Sequence, residues 1–276
     1  MKKTLLACAI TAALALPATA QGVPERLRGA WFAGDCADPT AMLVMTGRAA
    51  ARVEAEAPAR LVRFRETREL SGWTFATGVG AEAPRLLYRA ADEGLETIEP
   101  EAKTRDDRLP GDARPSVWRR CPATPPLLAA LHGEGIAFLA ALEHLEAACG
   151  SGTPGACATA IVQQGDISGD SLLSVAEVAR LVRGASWVVA AQEGSTQDVL
   201  FGAVGIGGLA GVVTARLLMD SVDYDGDGKI SAGELGTDAA NFARATGTPA
   251  GTPLRTQGLT ESAGMLRGLV DGLLGR

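Results

Sequence analysis

Twelve residues, Asp223-Tyr224-Asp225-Gly226-Asp227-Gly228-Lys229-Ile230-Ser231-Ala232-Gly233-Glu234, place carboxylates at positions 1, 3, 5 and 12, glycine at position 6 and an apolar residue at position 8. Oxygens at that spacing suit a hard divalent cation. Calcium takes about six to eight oxygens at about 2.3–2.6 Å, from a chain that must turn back sharply at the sixth position. On this spacing Asp223, Asp225 and Asp227 supply side-chain oxygens and Lys229 supplies its backbone carbonyl. Ser231 acts directly or through a water, and Glu234 closes the site with two oxygens. Gly228 takes the turn that a Cβ would penalise.

A second stretch repeats the pattern with two departures. Asp166-Ile167-Ser168-Gly169-Asp170-Ser171-Leu172-Leu173-Ser174-Val175-Ala176-Glu177 offers side-chain oxygens from Asp166, Ser168, Asp170, Ser174 and Glu177, with Leu172 at the carbonyl position. Serine stands at position 3 in place of a carboxylate and at position 6 in place of glycine. One carboxylate fewer weakens the pull on a cation, and a side chain at the turn strains the backbone. Gly169-Asp170-Ser171-Leu172 also spells a serine-hydrolase signature, but no histidine follows His144 to activate that serine. His132 and His144 have no cysteine or fourth-residue partner and read as structural. With no catalytic cysteine and no activated serine, the chain is expected not to be an enzyme.

One-sided apolar faces flank both loops. Val178, Leu181, Val182 and Ala185 follow the first, Leu218, Met219 and Val222 precede the second, and Leu235, Ala239 and Phe242 follow it. Loops and flanks, over residues 156–244, resemble the EF-hand calcium-binding family. That resemblance implies Ca2+ as the bound ion and a two-stranded bridge between Leu173 and Ile230. The loops begin 57 residues apart (166 to 223), more than a compact pair needs, so the extra length must fold between them.

The rest of the chain supplies what positions these loops. Residues 25–121 alternate β-prone apolar runs (42–45, 61–64, 73–77, 86–88) with Pro and Gly turns, which predicts about five to seven antiparallel strands in a small barrel or sandwich. In 60–66, Leu61, Arg63 and Arg65 point one way and Val62 and Phe64 the other, as in a half-buried strand. Arg60, Arg63, Arg65 and Arg68 among Glu54, Glu56, Glu66 and Glu69 read as a mixed solvated face. Gly29-Ala30-Trp31 at one end and Trp118-Arg119-Arg120 at the other resemble lipocalin-type barrels, where an opening Trp packs beside a basic residue from the end of the barrel. A ligand cavity could follow from that, though three tryptophans also make a core. The proline-rich 122–126 is a stiff linker, and residues 127–148 carry helical spacing through Leu128, Leu131, Phe138, Leu139, Leu142 and Leu145. The fold class is therefore α+β, a small antiparallel β domain at 21–121 followed by an all-α EF-hand domain at 127–245. A Thr/Pro/Gly linker and an amphipathic helix through Leu266, Leu269, Val270, Leu273 and Leu274 occupy 246–276.

Residues 1–20 have the layout of an export signal: Lys2 and Lys3, an apolar run over 5–16, then Ala18-Thr19-Ala20 as the cleavage site. That places the mature chain in the periplasm or outside the cell. Four cysteines then remain, with three possible pairings, of which Cys36–Cys121 and Cys149–Cys157 each close a segment that looks like a unit. Residues 21–120 hold 16 basic and 16 acidic side chains and residues 121–276 hold 8 and 16, so all of the net negative charge lies in the second half. An acidic half suits cations and disfavours nucleic acid. The uncharged, Gly-rich 199–215 reads as a helix packed in the domain or, within 199–219, as a membrane contact. The expectation is an exported calcium-binding protein whose calcium is mainly structural and which holds a protein partner. The alternatives are a membrane-associated envelope protein, or a ligand-binding barrel with a calcium-stabilised helical part.

Overall fold

The computed structural model describes residues 22–251 apart from 55–56, 79–82, 93 and 101–112; the export signal and the 266–274 helix lie outside the described residues. Four strands form one antiparallel sheet in chain order: β1 (Gly29–Gly34), β2 (Pro39–Met45), β3 (Ala49–Glu54) and β4 (Arg60–Arg63). Five form a second: β5 (Glu66–Leu70), β6 (Trp73–Thr77), β7 (Arg85–Ala91), β8 (Gly94–Ile98) and β9 (Ser116–Trp118). The sheets join at both edges. The chain passes from β4 to β5 through Phe64 and Arg65, whose N–H groups donate to Arg48 and Thr77 carbonyls at 2.7 and 2.8 Å. At the far edge Phe32 and Arg119 exchange two backbone hydrogen bonds of 2.9 Å. Among the described residues nine strands stand where five to seven were expected, because Ala-rich β3 and the polar β5 have no clear apolar alternation.

Between the sheets lie Trp31, Leu43, Met45, Phe64, Leu86, Tyr88, Leu95 and Trp118, so the interior is filled by side chains. Trp31 donates to the Leu27 carbonyl at 2.9 Å, and the Arg120 guanidinium sits 4.0 Å from its ring. The opening Trp and the closing basic residue are thus paired, and the Cys36–Cys121 disulfide fastens the same two ends. Joining residues 85 apart, it constrains the unfolded chain by about 4–5 kcal/mol in the loop-entropy account.

The first sheet is buried on both faces, which corrects the half-buried strand expected at 60–66. Its outer face, with Phe32, Met42, Val44, Ala51, Val53 and Leu61, forms one core with Leu139 and Leu142 of α1 (Pro126–Ser151), Trp187, Val188 and Ala191 of α3 (Val175–Gln192) and Leu200 of α4 (Gln197–Val222). The β and helical parts therefore share a core across the 122–126 segment. Two arginines of this region reach glutamates far along the chain, and a third reaches a ring. Arg63 pairs with Glu146 of α1 and Arg60 with Glu99 at 2.8 Å, while Arg68 covers the Phe75 ring at 4.8 Å. Glu143 of α1 accepts from the Arg48 N–H at 2.7 Å and from the Thr46 hydroxyl, tying the helix to the β2–β3 turn.

Pro126 begins α1 at its first turn, where a missing N–H costs nothing. Gly133 and Gly135 do not break the helix. A Cβ on Gly135 would lie 2.1 Å from the Trp187 ring, and one on Gly184 would lie 2.5 Å from the Phe138 Cβ. Glycine is what lets α1 and α3 approach this closely. Trp187 is fully buried, and truncating it to alanine would cost about 3–5 kcal/mol. Glu134 and Arg183 add a two-point ion pair across the same seam, both contacts 2.7 Å. Among the described residues α1 is the helix long and apolar enough to cross a membrane, over Pro126–Gly150; its Leu139, Leu142 and Leu145 face are buried inside the protein.

The Gly-rich stretch forms the single 26-residue helix α4, packed along α3. Leu200, Ala215 and Met219 are buried, whereas Val199, Val213 and Leu217 are exposed, so α4 is packed on one face. A second disulfide, Cys149–Cys157, with Cα atoms 4.4 Å apart, joins the end of α1 to α2 (Pro154–Gly165). Disulfides of this kind fit an oxidising compartment outside the cytosol.

His132 is buried beneath the helices, and its Nδ1 accepts the Trp187 indole N–H at 3.1 Å. Burial pulls its pKa down from 6.5 to about 4. Between those values the unfolded chain binds a proton that the folded chain refuses, so stability is complete above pH 6.5 and falls as pH drops toward 4, by at most about 1.4 kcal/mol per unit. His132→Gln still offers an oxygen to the indole and should flatten the stability curve between pH 6.5 and 4.5. Urea unfolding across that range measures it, and parallel curves for the two proteins would refute the assignment.

Candidate metal centre

Both twelve-residue loops occupy the same place in a helix–loop–helix unit. Loop 166–177 joins α2 to α3, and loop 223–234 joins α4 to α5 (Ala232–Thr246). Two short strands, β10 (Leu173–Ser174) and β11 (Lys229–Ile230), pair antiparallel with Leu173 opposite Ile230. Leu173 and Ile230 are buried with Val162, Val178, Ala179, Ala215 and Met219, and Leu181, Val222 and Leu235 pack against them. The long spacing does not prevent the bridge, because α3 and α4 absorb the extra residues as a long antiparallel hairpin. Leu218 and Phe242, expected in the shared apolar face, are instead exposed.

The backbone of the two loops follows one plan. In loop 223–234 the Asp223 carboxylate accepts the N–H of Gly226 at 2.8 Å and of Gly228 at 2.9 Å. In loop 166–177 Asp166 accepts from Gly169 at 2.6 Å and Ser171 at 2.8 Å. Asp227 accepts from Lys229 at 2.8 Å, as Asp170 does from Leu172 at 3.0 Å. The closing glutamates are equivalent too. One Glu234 oxygen accepts from Tyr224 and Asp225 at 2.9 and 3.4 Å, and the other from the N–H and hydroxyl of Ser231 at 2.8 and 2.7 Å. Glu177 does the same with Ile167 and Ser168 at 2.8 and 2.9 Å and with Ser174 at 2.8 and 2.7 Å. Position 9 is also the N-cap of the exit helix and position 12 its N3 residue, so each loop ends in a capping box.

These donors shape the acidity of the glutamates. Burial pushes the Glu177 carboxyl up, but the groups of Ser174, Ser168 and Ile167 outweigh it and hold it down to about 2. The Ser231 N–H and hydroxyl hold Glu234 below the usual range, helped by Tyr224 and Asp225. The sixth position carries positive φ in both loops, 82° at Gly228 and 64° at Ser171. The serine turns as the glycine does, and bears the strain of that turn.

The loops differ in the charge they gather. Carboxylate oxygens of Asp223, Asp225 and Asp227 lie within 4.8 Å of one another, the grouping of this kind found among the described residues. Three like charges so close repel unless a cation sits among them. No described residue forms an ion pair with Asp223, Asp225, Asp227 or Glu234. Position 3 of the other loop is Ser168, whose hydroxyl donates to Asp166 at 3.2 Å. Its Asp170 is paired with the Lys229 ammonium from the opposite loop. That bond holds the Asp170 carboxyl below its usual range and raises Lys229.

The sequence assigned Lys229 only a carbonyl role and missed this side-chain contact. The available signal was its place beside the bridging Ile230, which sets it opposite Ser174 of the other loop. Tyr224, at position 2, donates its hydroxyl to Asp238 of α5 at 3.2 Å. A separate cleft of about 530 Å³ lies at Arg52, Arg60, Glu99 and Arg114, away from both loops; Arg52 pairs there with Glu54 and Glu99, and Arg60 with Glu99. Comparison with protein-family models, curated proteins and solved structures finds no match to this chain.

Relieving the serine turn should stabilise the protein without touching a carboxylate. Ser171→Gly is expected to gain about 1 kcal/mol and Gly228→Ala to lose about 1–2 kcal/mol, since a Cβ in the left-handed region is penalised by that order. Denaturant unfolding in chelator measures both. A loss from Ser171→Gly would show that its backbone is not strained.

Proposed function

We propose that this protein binds calcium in loop 223–234, using the carboxylates of Asp223, Asp225, Asp227 and Glu234, the Lys229 carbonyl and the Ser231 hydroxyl. The observation that carries the reading is the gathering of three carboxylates within 4.8 Å on a loop with glycine at its turn. Hard oxygens without nitrogen or sulfur favour calcium over transition metals. The ion neutralises the repulsion inside the loop and clamps α4 to α5. The disulfides and the signal-like residues 1–20 support a setting in the periplasm or outside the cell. Calcium is plentiful there, so a site of only about 10⁻⁴–10⁻³ M stays filled and the ion acts as a structural clamp.

Calorimetric titration of the disulfide-intact chain from Gln21 onward should show calcium binding that Glu234→Gln abolishes. At a hundred-fold excess over Kd, calcium should add about 2.7 kcal/mol of stability. Absence of binding heat together with a melting temperature unmoved by chelator would sink the reading.

A further inference from the structure

The two loops share a backbone plan but differ in how their carboxylates are occupied. In loop 166–177 every carboxylate oxygen already has a donor. Asp166 Oδ1 accepts from Gly169 and from the Ser168 hydroxyl, and its Oδ2 from Ser171. Asp170 Oδ1 accepts from Leu172, and its Oδ2 is bound by the Lys229 ammonium. Glu177 is 7 % exposed and takes four donors. In loop 223–234, by contrast, Asp225 and Asp227 each use one oxygen for a backbone N–H, from Asp227 and Lys229. Their Oδ2 atoms accept from no group among the described residues.

We propose that the Lys229 ammonium is the resident cation of loop 166–177, which therefore folds and pairs with its neighbour without binding calcium. This rests on the calcium reading of loop 223–234 and narrows the protein to a single ion. The β10–β11 register places Lys229 opposite Ser174, so a side chain leaving the second loop reaches the fifth position of the first. Lys229 thus serves both loops, its carbonyl in one and its ammonium in the other.

Charge points the same way. Loop 166–177 has three carboxylates, and Lys229 reduces their charge to −2; loop 223–234 has four and no ion-paired cation among the described residues. Affinity for calcium in such loops follows the number of charged ligands. A metal entering the first loop would have to displace the ammonium from Asp170 and would meet a serine at position 3. The first loop thus keeps the hand's architecture while losing its chemistry.

Calcium calorimetry on the full mature chain decides this with three single variants and one double variant. The wild type should bind one ion, Glu234→Gln none, and Glu177→Gln still one. Lys229→Met should gain a second event at least ten-fold weaker than the first, removed again by adding Glu177→Gln. Two ions in the wild type, one of them lost in Glu177→Gln, overturn the proposal and leave the function reading standing. No ion in the wild type overturns the function reading, and the role of Lys229 is then decided in chelator. There Lys229→Met and Asp170→Asn should each lower the melting temperature, and the double variant no further than the larger of the two. Additive shifts would show that the ammonium does not act through Asp170.

Discussion

The contact on which the rest of this structure depends is the seating of Trp187 of α3 against α1 at Gly135. A side chain at residue 135 would overlap the indole ring. Because it is absent, α1 and α3 approach closely and Trp187 enters the core shared with the first sheet. The first loop lies at the N-terminal end of α3, and α4 packs along that helix toward the second loop. The position of both loops relative to the sheets thus follows from one indole ring in one glycine gap. The Glu134–Arg183 ion pair at the rim of this seam fixes its register rather than supplying its strength, since partly exposed pairs contribute little.

The loops are organised by a different kind of force. Each is a short chain whose N–H groups would otherwise be unpaired, folded around an aspartate at its start and a glutamate at its end. The carboxylates satisfy the backbone, and at Glu177 and Glu234 the donors in turn hold the carboxyl below its usual range. This closure is local. What the loops do not share is the residual charge after that local bonding, and the chemistry therefore rests on a few side chains: Asp225 against Ser168, Asp227 with an oxygen to spare, and Lys229 across the bridge.

Local chemistry was legible in the sequence and long-range pairing largely was not. The spacing of Asp223 to Glu234, the glycine at its turn and the flanking apolar residues all identified the loops, because each depends on neighbours within a few positions. The Leu173–Ile230 pair followed from the family resemblance. Counting cysteines left three disulfide pairings, and the one seen is the one that closes two unit-like segments. Strands such as β5, Glu66–Leu70, escaped because nearly all its side chains are polar and its place comes from pairing with β6. The double burial of Leu61 and Phe64 was invisible in the same way: alternation shows two faces but not that helices cover one of them. Lys229 was read for its carbonyl alone, since the partner of its ammonium lies 59 residues away.

The Cys149–Cys157 bond gives the helical part a property that packing alone would not. It sits at the elbow between α1, which is wedded to the sheets, and α2, which leads into the first loop. That elbow contains Gly152 in an extended conformation, and the disulfide spans it. With the sulfurs joined, α1 and α2 turn together as one rigid bracket. The aim of the first loop is set by the surroundings' capacity to oxidise thiols, and a chain folded among reductants would have the same helices on a loosened joint.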